Sequence, residues 1–183
     1  MPPAIAVRSS LFVLFASTLT LNAVGADTLS APVIEGYGEV IPVENAGERP
    51  DPALDYKVVL NATKGGSADA PPPFLDKAAK VANLLAQSGV PASHRHIVVI
   101  LQAAATTAVL NEKGLKARGL TRNPSAELIR KLNAAGVSVR VCGQALAGAK
   151  IARDEVLPGV QVDLSALTTV SGLQLRGYAL LVD

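Results

Sequence analysis

The alternation of hydrophobic and polar residues along this chain predicts strands that are separated by helices. Short apolar runs, and runs in which every second residue is apolar, are typical of strands, whereas apolar residues three or four positions apart are typical of helices. Five segments have a strand pattern, at residues 57–62, 97–101, 137–142, 160–164 and 178–182. Helical patterns lie between them and are clearest at residues 75–85, 124–135 and 166–175.

The second predicted strand, Ile97–Leu101, is apolar throughout. A strand of this kind is covered on both faces, which favours a parallel sheet between two layers of helices. The predicted fold class is therefore α/β, a flavodoxin-like three-layer sandwich with a mostly parallel five-stranded sheet, and the predicted domain covers residues 55–183.

Local signals predict where several helices begin and end. Asn123 and Pro124 predict a helix start, because Asn caps free amides and Pro suits the first helical position. Gly136 predicts the end of that helix. Residues 151–157 are predicted to form a short helix that stops at Pro158-Gly159, with the carboxylates of Asp154-Glu155 at an exposed helix start.

The amino-terminal residues have the pattern of a signal peptide over residues 1–26. A short positively charged stretch precedes the apolar segment Leu11–Leu21, and Val24-Gly25-Ala26 supplies small residues for cleavage after Ala26. The apolar segment is shorter than the roughly 20 residues of a transmembrane helix. The protein is therefore expected to be exported to the periplasm, with no stable membrane span after cleavage.

Residues 27–54 are predicted to form a Pro/Gly-rich N-terminal arm. Prolines and glycines at this density interrupt helices and central strands alike; they stand at positions 32, 36, 38, 42, 47, 50 and 52. The arm is expected to lie against the domain or a neighbouring subunit, with Val33-Ile34 and Val40-Ile41 as its apolar contacts.

Composition excludes several classes of function. The chain has 17 basic and 15 acidic residues, 3% aromatic residues and no Trp, so it lacks the basic surface and stacking rings of nucleic-acid-binding proteins. A single cysteine excludes an internal disulfide or a Cys-rich zinc site, and two histidines, His94 and His96, are too few for a His-based metal cage. We therefore predict no metal and no nucleic-acid partner.

Other familiar chemistries lack their motifs. Lys64-Gly65-Gly66-Ser67 follows a strand but fits neither the Walker pattern nor the dinucleotide fingerprint, so a flexible loop is predicted there. A flavin would need a phosphate loop and stacking aromatics, so no cofactor is predicted. Both histidines precede a strand, at the opposite end of the sheet from Cys142, which disfavours a Cys-His dyad.

Cys142 is the candidate for chemistry. It ends the third predicted strand, and Gly143 and the start of a helix at Gln144 follow it. Open α/β sheets place their sites at such strand ends, and helix amides favour a thiolate. A lone cysteine is equally well a small apolar core residue, and the residues leave both interpretations open. If reactive, a single thiolate suits a carrier of sulfane sulfur better than an oxidoreductase, which needs a resolving cysteine.

The sequence resembles the DsrE/DsrF-like family over about residues 56–182. The resemblance is carried in order by Asn123-Pro124, by Ala-Gly-Val-Ser-Val-Arg-Val-Cys-Gly-Gln-Ala-Leu at residues 135–146, by Leu157-Pro158-Gly159-Val160, and by Leu173-Gln174 with Gly177-Tyr178. The family includes sulfur-relay proteins of tRNA thiolation and of bacterial sulfur oxidation.

The resemblance implies a site as well as a fold. In relatives that relay sulfur, the persulfide-bearing cysteine occupies the position of Cys142, and Gly143, Gln144 and Gln102 would then bind substrate around it. It also implies a homo-oligomer, a trimer or hexamer, with a sulfur donor or acceptor protein as partner. Many exported relatives have His-Gly where this chain has Gln102-Ala103, so any role of that His is absent here.

Two hypotheses follow from the sequence. In the first, the protein is an exported, sulfurtransferase-like carrier that holds a persulfide on Cys142; because tRNA thiolation is cytoplasmic, its pathway would be a different one. In the second, it is a non-catalytic oligomeric binding or structural protein of the cell envelope with an inert Cys142. An exposed sulfur favours the first hypothesis, and a buried sulfur favours the second.

Overall fold

The computed structural model describes Met1 and residues 31–182, so all of the predicted signal peptide except Met1 lies outside the described residues. Five strands and five α-helices follow one another in the described part of the chain: β1 (Tyr56–Ala62), α1 (Pro73–Gln87), β2 (Arg95–Leu101), α2 (Glu112–Lys116), α3 (Ala126–Ala134), β3 (Ser138–Cys142), α4 (Gly143–Gly148), β4 (Gln161–Asp163), α5 (Ala166–Leu175) and β5 (Ala179–Leu181). Short 3-10 turns stand at Ala92–His94, Ala103–Val109 and Arg153–Glu155.

The described strands form one sheet in the order β4-β3-β2-β1-β5, and each neighbouring pair is parallel. The predicted α/β sandwich is confirmed, with a sheet that is parallel throughout rather than mostly. Because crossovers between parallel strands are right-handed, the steps from β1 out to β3 place α1 and α3 on one face. The return from β4 to β5 runs the other way and places α5 on the opposite face.

The larger core lies on the face covered by α1 and α3. Apolar side chains of both helices pack there against alternate residues of the strands, among them Leu60, Val99 and Val141. The predicted apolar stripes of the two helices are confirmed, since their members are all buried: Leu75, Ala78, Ala82, Leu85, Leu128, Ile129 and Leu132.

The opposite face has a thinner cover. Leu173 of α5 packs on Val59 and Val98, and Ala166 at the start of the same helix packs on Ile100 and Cys142. The outer side of α5 is mixed: Leu167 and Leu175 are 75% and 90% exposed, beside exposed polar residues such as Ser171. In the monomer this helix therefore covers a small core and leaves two large apolar side chains uncovered.

The described part of the arm lies against α1, which is one of its two expected positions. The buried amide of Asn83 accepts a hydrogen bond from the backbone N–H of Ile34 (2.9 Å) and donates to the carbonyls of Ile34, Tyr37 and Gly38 at 3.2, 2.9 and 3.1 Å. Ile34 is buried in the main core. A Cβ at residue 38 would lie 2.2 Å from the backbone nitrogen of Lys80, so only glycine permits this contact.

The apolar contacts predicted for the arm are only partly observed. Ile34 is buried and Val40 is half-buried, whereas Val33 and Ile41 are 42% and 69% exposed. The polar contacts of Asn83, which the sequence pattern did not indicate, therefore hold the arm as much as its apolar side chains do.

The predicted start of the third long helix is wrong by two residues. α3 begins at Ala126, and Asn123 instead stabilises the turn ahead of it by accepting a hydrogen bond from the N–H of Ser125 (2.9 Å). The side-chain amide of Asn123 also donates to the carbonyls of Ala108 and Leu110, both at 2.8 Å. These contacts tie Asn123 to the end of the 3-10 turn Ala103–Val109.

The predicted helix at residues 151–157 is also wrong. Only Arg153–Glu155 form a 3-10 turn, because the N–H of Leu157 donates to Val109 (2.8 Å) and draws the chain into extended pairing. Glu155 is buried rather than exposed; its carboxylate accepts two hydrogen bonds from Arg118 (both 3.2 Å) and one from the N–H of Ala152 (2.9 Å). Asp154 alone has the exposed position that was predicted for both carboxylates.

Candidate functional site

Cys142 stands at the carboxyl end of the sheet, where strand and helix meet. It is the last residue of β3, has extended backbone angles (φ −70°, ψ 117°), and α4 begins at the next residue. A Cβ at residue 143 would lie 2.7 Å from the carbonyl oxygen of Asp163, so Gly143 lets the start of α4 pack closely on the end of β4. The predicted strand-Cys-Gly-helix arrangement is confirmed.

The thiol of Cys142 is buried in the described chain. The residue is 3% exposed and lies in a small apolar cluster with Ile100 of β2 and Ala166 of α5, with Ala145 and Val170 packed at its border. Cys142 lines none of the described cavities of about 300, 610 and 630 Å³. This burial is what the hypothesis of an inert Cys142 expects. For the thiol to react, the apolar side chains packed around it would have to move.

The structure places the other predicted site residues at the same edge of the sheet, in different surroundings. Gln102 follows β2 and is half-buried; its side-chain amide donates to the carboxamide oxygen of Asn61 at 2.7 Å. In the register of the sheet Leu101 pairs with Val141, so Gln102 comes level with Cys142. Gly143 is half-buried and Gln144 is exposed.

A polar cluster beside Cys142 was not predicted from the sequence. Cys142 pairs in register with Asp163, whose carboxylate lies 3.4 Å from the guanidinium of Arg140 and accepts hydrogen bonds from Thr169 (2.8 Å) and Gln161 (2.6 Å). The side chains of Arg140 and Asp163 are 20% and 10% exposed. Because these two charges pair with each other, they give a thiolate little net stabilisation, and the first amides of α4 are the remaining source.

One signal in the sequence could have found part of this cluster. Arg140 lies two residues before Cys142, and the two-residue period of a strand places both side chains on the same face. The partners Asp163 and Thr169 depend on the register of β3 with β4 and on the position of α5, which residue spacing does not encode.

The turn after Gln102 is strained. Ala103 has a φ of +49°, in the left-handed region that favours glycine, at the position where many exported relatives were expected to have glycine. The adjacent loop packs closely on this turn, since a Cβ at Gly65 would lie 3.0 Å from the carbonyl oxygen of Ala104. The strained residue therefore adjoins the predicted site.

The remaining candidates lie away from Cys142 or have local partners. His96 lies at the amino end of β2, 3.5 Å from Asp55, and His94 lies 3.1 Å from the carbonyl of Pro52, so the predicted separation from Cys142 is confirmed. The hydroxyl of Ser67 accepts hydrogen bonds from two N–H groups of its own loop. Across residues 31–182 no three His, Cys, Asp or Glu side chains are grouped to hold a metal, and no described helix is long and apolar enough to cross a membrane.

Comparison with known sequences decides the family. The model of the DsrE/DsrF-like family matches residues 58–182, more than half of the chain and all five strands but for the first residues of β1. The chain belongs to the DsrE/DsrF-like family. The resemblance predicted from residues 135–146 and the other motifs is thus confirmed. No curated protein matches the chain.

Two solved structures have the same fold as this DsrE/DsrF-like domain. One is a protein of unknown function, MTH1491 from Methanobacterium thermoautotrophicum, with 19% identity and a TM-score of 0.55; the match covers 70% of this chain and 100% of that one. The other is the ychN protein from E. coli, with 20% identity, a TM-score of 0.52, and coverage of 70% and 99%. At these identities the likeness supports the α/β fold.

Proposed function

We propose that this DsrE/DsrF-like protein is a sulfur carrier that holds sulfane sulfur as a persulfide on Cys142. The family is in general related to sulfur relay. The observation that carries the proposal is the position of the sole cysteine, at the end of β3 and directly before the first amides of α4. Strand ends of this kind are where open α/β sheets hold reactive groups.

The proposed transfer is balanced without an added oxidant. The Cys142 thiolate attacks the terminal sulfur of a donor hydropersulfide, R–S–SH, and forms a new S–S bond. The donor S–S bond breaks, the donor leaves as the thiolate R–S⁻, and the SH group with its proton is now carried by Cys142. Passing the sulfur to an acceptor thiolate repeats these bond changes in the opposite sense and regenerates the Cys142 thiolate.

Burial of the thiol means that this carrier must have an open state. Cys142 packs against Ala166, the first residue of α5, with Val170 of the same helix at the border of the cluster. The start of α5 is held by a cap from Ser165 to the N–H of Leu167 (3.3 Å) and by the hydrogen bond from Thr169 to Asp163 (2.8 Å). We propose that displacement of this first helical turn is the movement that uncovers Cys142.

The setting of the carrier is proposed on separate grounds. The charged, apolar and small-residue segments of residues 1–26 support export to the periplasm. Assembly into a homo-oligomer of three or six chains is supported by three exposed leucines. Two of them, Leu167 and Leu175, are in α5, and Leu164 lies just before its N-cap. In this proposal a sulfur donor or acceptor protein meets the carboxyl edge of the sheet.

The burial of Cys142 favours a second candidate function. A thiol that is 3% exposed among Ile100, Ala166 and Val170 is also an ordinary core residue, and the protein is then a binding or structural oligomer of the envelope.

One experiment separates the two functions. The folded protein is exposed to a low-molecular-weight hydropersulfide, and its intact mass is measured beside that of the Cys142→Ser variant. A carrier gains sulfur atoms in the native chain and none in the variant. The structural alternative predicts no gain, with alkylation of Cys142 only after the protein is unfolded.

A further inference from the structure

A groove with basic walls lies at the amino end of the sheet, at the opposite edge from Cys142. Its volume is about 610 Å³, and it is formed by the start of β2, the end of α3 and the arm. Three cationic side chains line it, Arg95, Arg130 and Lys131, together with a single carboxylate, Glu35. A volume of this size is typical of small-molecule sites.

Arg95 lines the groove from the start of β2. It is the first residue of β2, on the same face as Ile97 and Val99, and its side chain therefore points under α3. Its Nε is buried and has no hydrogen-bond partner among the described residues. Because Nε has no exposed surface, a ligand in the groove would meet the Arg95 guanidinium through its terminal N–H groups.

The three cations differ in their availability. Lys131 is already engaged, since its ammonium lies 3.0 Å from the carboxylate of Glu127 and donates to the carbonyl of Glu35 at 2.9 Å. Neither Arg95 nor Arg130 forms an ion pair with any described residue. The groove thus has two guanidinium groups without a short ion pair, and the competing carboxylates are Glu35, which lines the groove, and Glu127, which interacts electrostatically with Arg130.

The shape of the groove limits the kind of anion. Small apolar side chains, Ala92 and Ala134, line it beside the basic residues, so it has an apolar wall as well as a charged end. The carboxyl end of α3 adds a partial negative charge, which the positive charge of a single arginine would only neutralise. The combined positive charge of two guanidinium groups is larger than this partial charge. Their planar N–H pairs fit the oxygens of carboxylate, phosphate or sulfate groups.

We propose that this groove binds a small organic oxyanion. Arg95 and Arg130 hold the anionic group, and the apolar body of the ligand rests on Ala92 and Ala134. The site is separate from Cys142 and does not depend on sulfur transfer.

The test is calorimetric titration of the full chain with inorganic phosphate and with phenyl phosphate, at constant ionic strength against chloride. We expect saturable binding of both, with phenyl phosphate tighter by about threefold or more because its ring buries apolar surface. Arg95→Gln and Arg130→Gln should each weaken binding about tenfold, and Glu35→Gln should strengthen it, because charged hydrogen bonds are gained or lost.

Arg176→Gln is the matched control, because it removes the same charge from an exposed residue at the far end of α5 and should leave binding unchanged. Arg130 is exposed, so its substitution tests the site even if Arg95→Gln fails to fold. Absence of saturable binding, or equal losses in Arg130→Gln and Arg176→Gln, would overturn the site. Equal affinity for the two probes would refute the proposed contact between the apolar body of the ligand and the alanines of the groove.

Discussion

At the scale of single residues, access to the thiol of Cys142 is limited by the apolar side chains that pack around it. The alternating valines of β3 end at Cys142. The local sequence pattern alone predicts this strand end and the helix start that follows it. Part of the burial of the sulfur comes from α5, whose Ala166 and Val170 meet Cys142 because the helix lies on the second face of the sheet. Exposure of a side chain is thus a tertiary property, and residue spacing could not supply it.

Ala103 offers a prediction about strain at this edge of the sheet. A non-glycine residue at φ +49° carries a strain of about 1–3 kcal/mol. Glycine would remove this strain, but it loses more chain entropy on folding, so only part of the strain energy is gained as stability. Ala103→Gly should therefore raise the free energy of unfolding by about 0.5–1 kcal/mol in urea titration. Ala104→Gly, in the same turn but without positive φ, should lower it, and a lower value for both variants would contradict the argument.

At the scale of elements, the helices with one apolar stripe were predictable and the short segments were not. α1 and α3 bury their stripes as expected, because a 3.6-residue period directly encodes a single buried face. Residues 151–157 have no such stripe, and their conformation is decided by the buried pair of Glu155 with Arg118 of the segment after α2. Pairs between distant segments leave no periodic trace in the sequence.

The first turn of α5 is predicted to control the reactivity of Cys142. Thr169→Ala removes the hydrogen bond to the carboxylate of Asp163, which is worth about 1.5 kcal/mol for a charged acceptor. Opening of the cover should then become about tenfold more frequent, and alkylation of Cys142 in the folded protein should accelerate by the same factor. Kinetics with a small thiol reagent under native conditions measure this directly.

Ser171→Ala is the control for that experiment. Its hydroxyl donates to the carbonyl of Leu167 on the outer side of the same helix, so its loss leaves the bond from Thr169 intact. If both variants accelerate alkylation equally, the thiol is reached by fraying of the whole helix rather than by release of the first turn.

At the scale of the whole molecule, the number and type of strands were predicted but their order was not. Unbroken apolar runs such as Ile97–Leu101 indicate buried parallel strands wherever those strands lie in the sheet. The order β4-β3-β2-β1-β5 depends on which pairs of strands meet, and the attachment of the arm depends on one polar residue, Asn83, within an apolar stripe. Neither is visible in hydropathy alone.

The arm is predicted to contribute to the stability of the domain. Asn83→Ala removes four hydrogen bonds to residues 34–38, and we expect a loss of about 2–3 kcal/mol in the free energy of unfolding. Limited proteolysis should cut residues 31–54 faster in this variant. Lys80→Ala, an exposed change on the same helix, is the control, and an arm equally protected in both variants would contradict its anchoring by Asn83.

If the protein assembles through α5, assembly and access to Cys142 depend on the same helix, and one substitution tests both. Leu167 is 75% exposed and lies next to Ala166, the residue that covers the thiol. If the outer side of α5 is the contact between copies of the chain, Leu167→Arg places a charge in that contact, and the mass measured by light scattering should fall below that of three or six chains. Leu120→Arg, which charges another exposed leucine away from α5, should leave the mass unchanged.

The same variant makes a second measurement informative. A neighbouring copy packed on Leu167 would hold the first turn of α5 in place, so the assembled protein should expose Cys142 less often than the monomer. Leu167→Arg should then accelerate alkylation of the native thiol together with its loss of mass. If the variant is monomeric but its alkylation rate is unchanged, the contact between copies does not lie over the first turn of α5. If the native protein is itself monomeric, there is no such contact between copies.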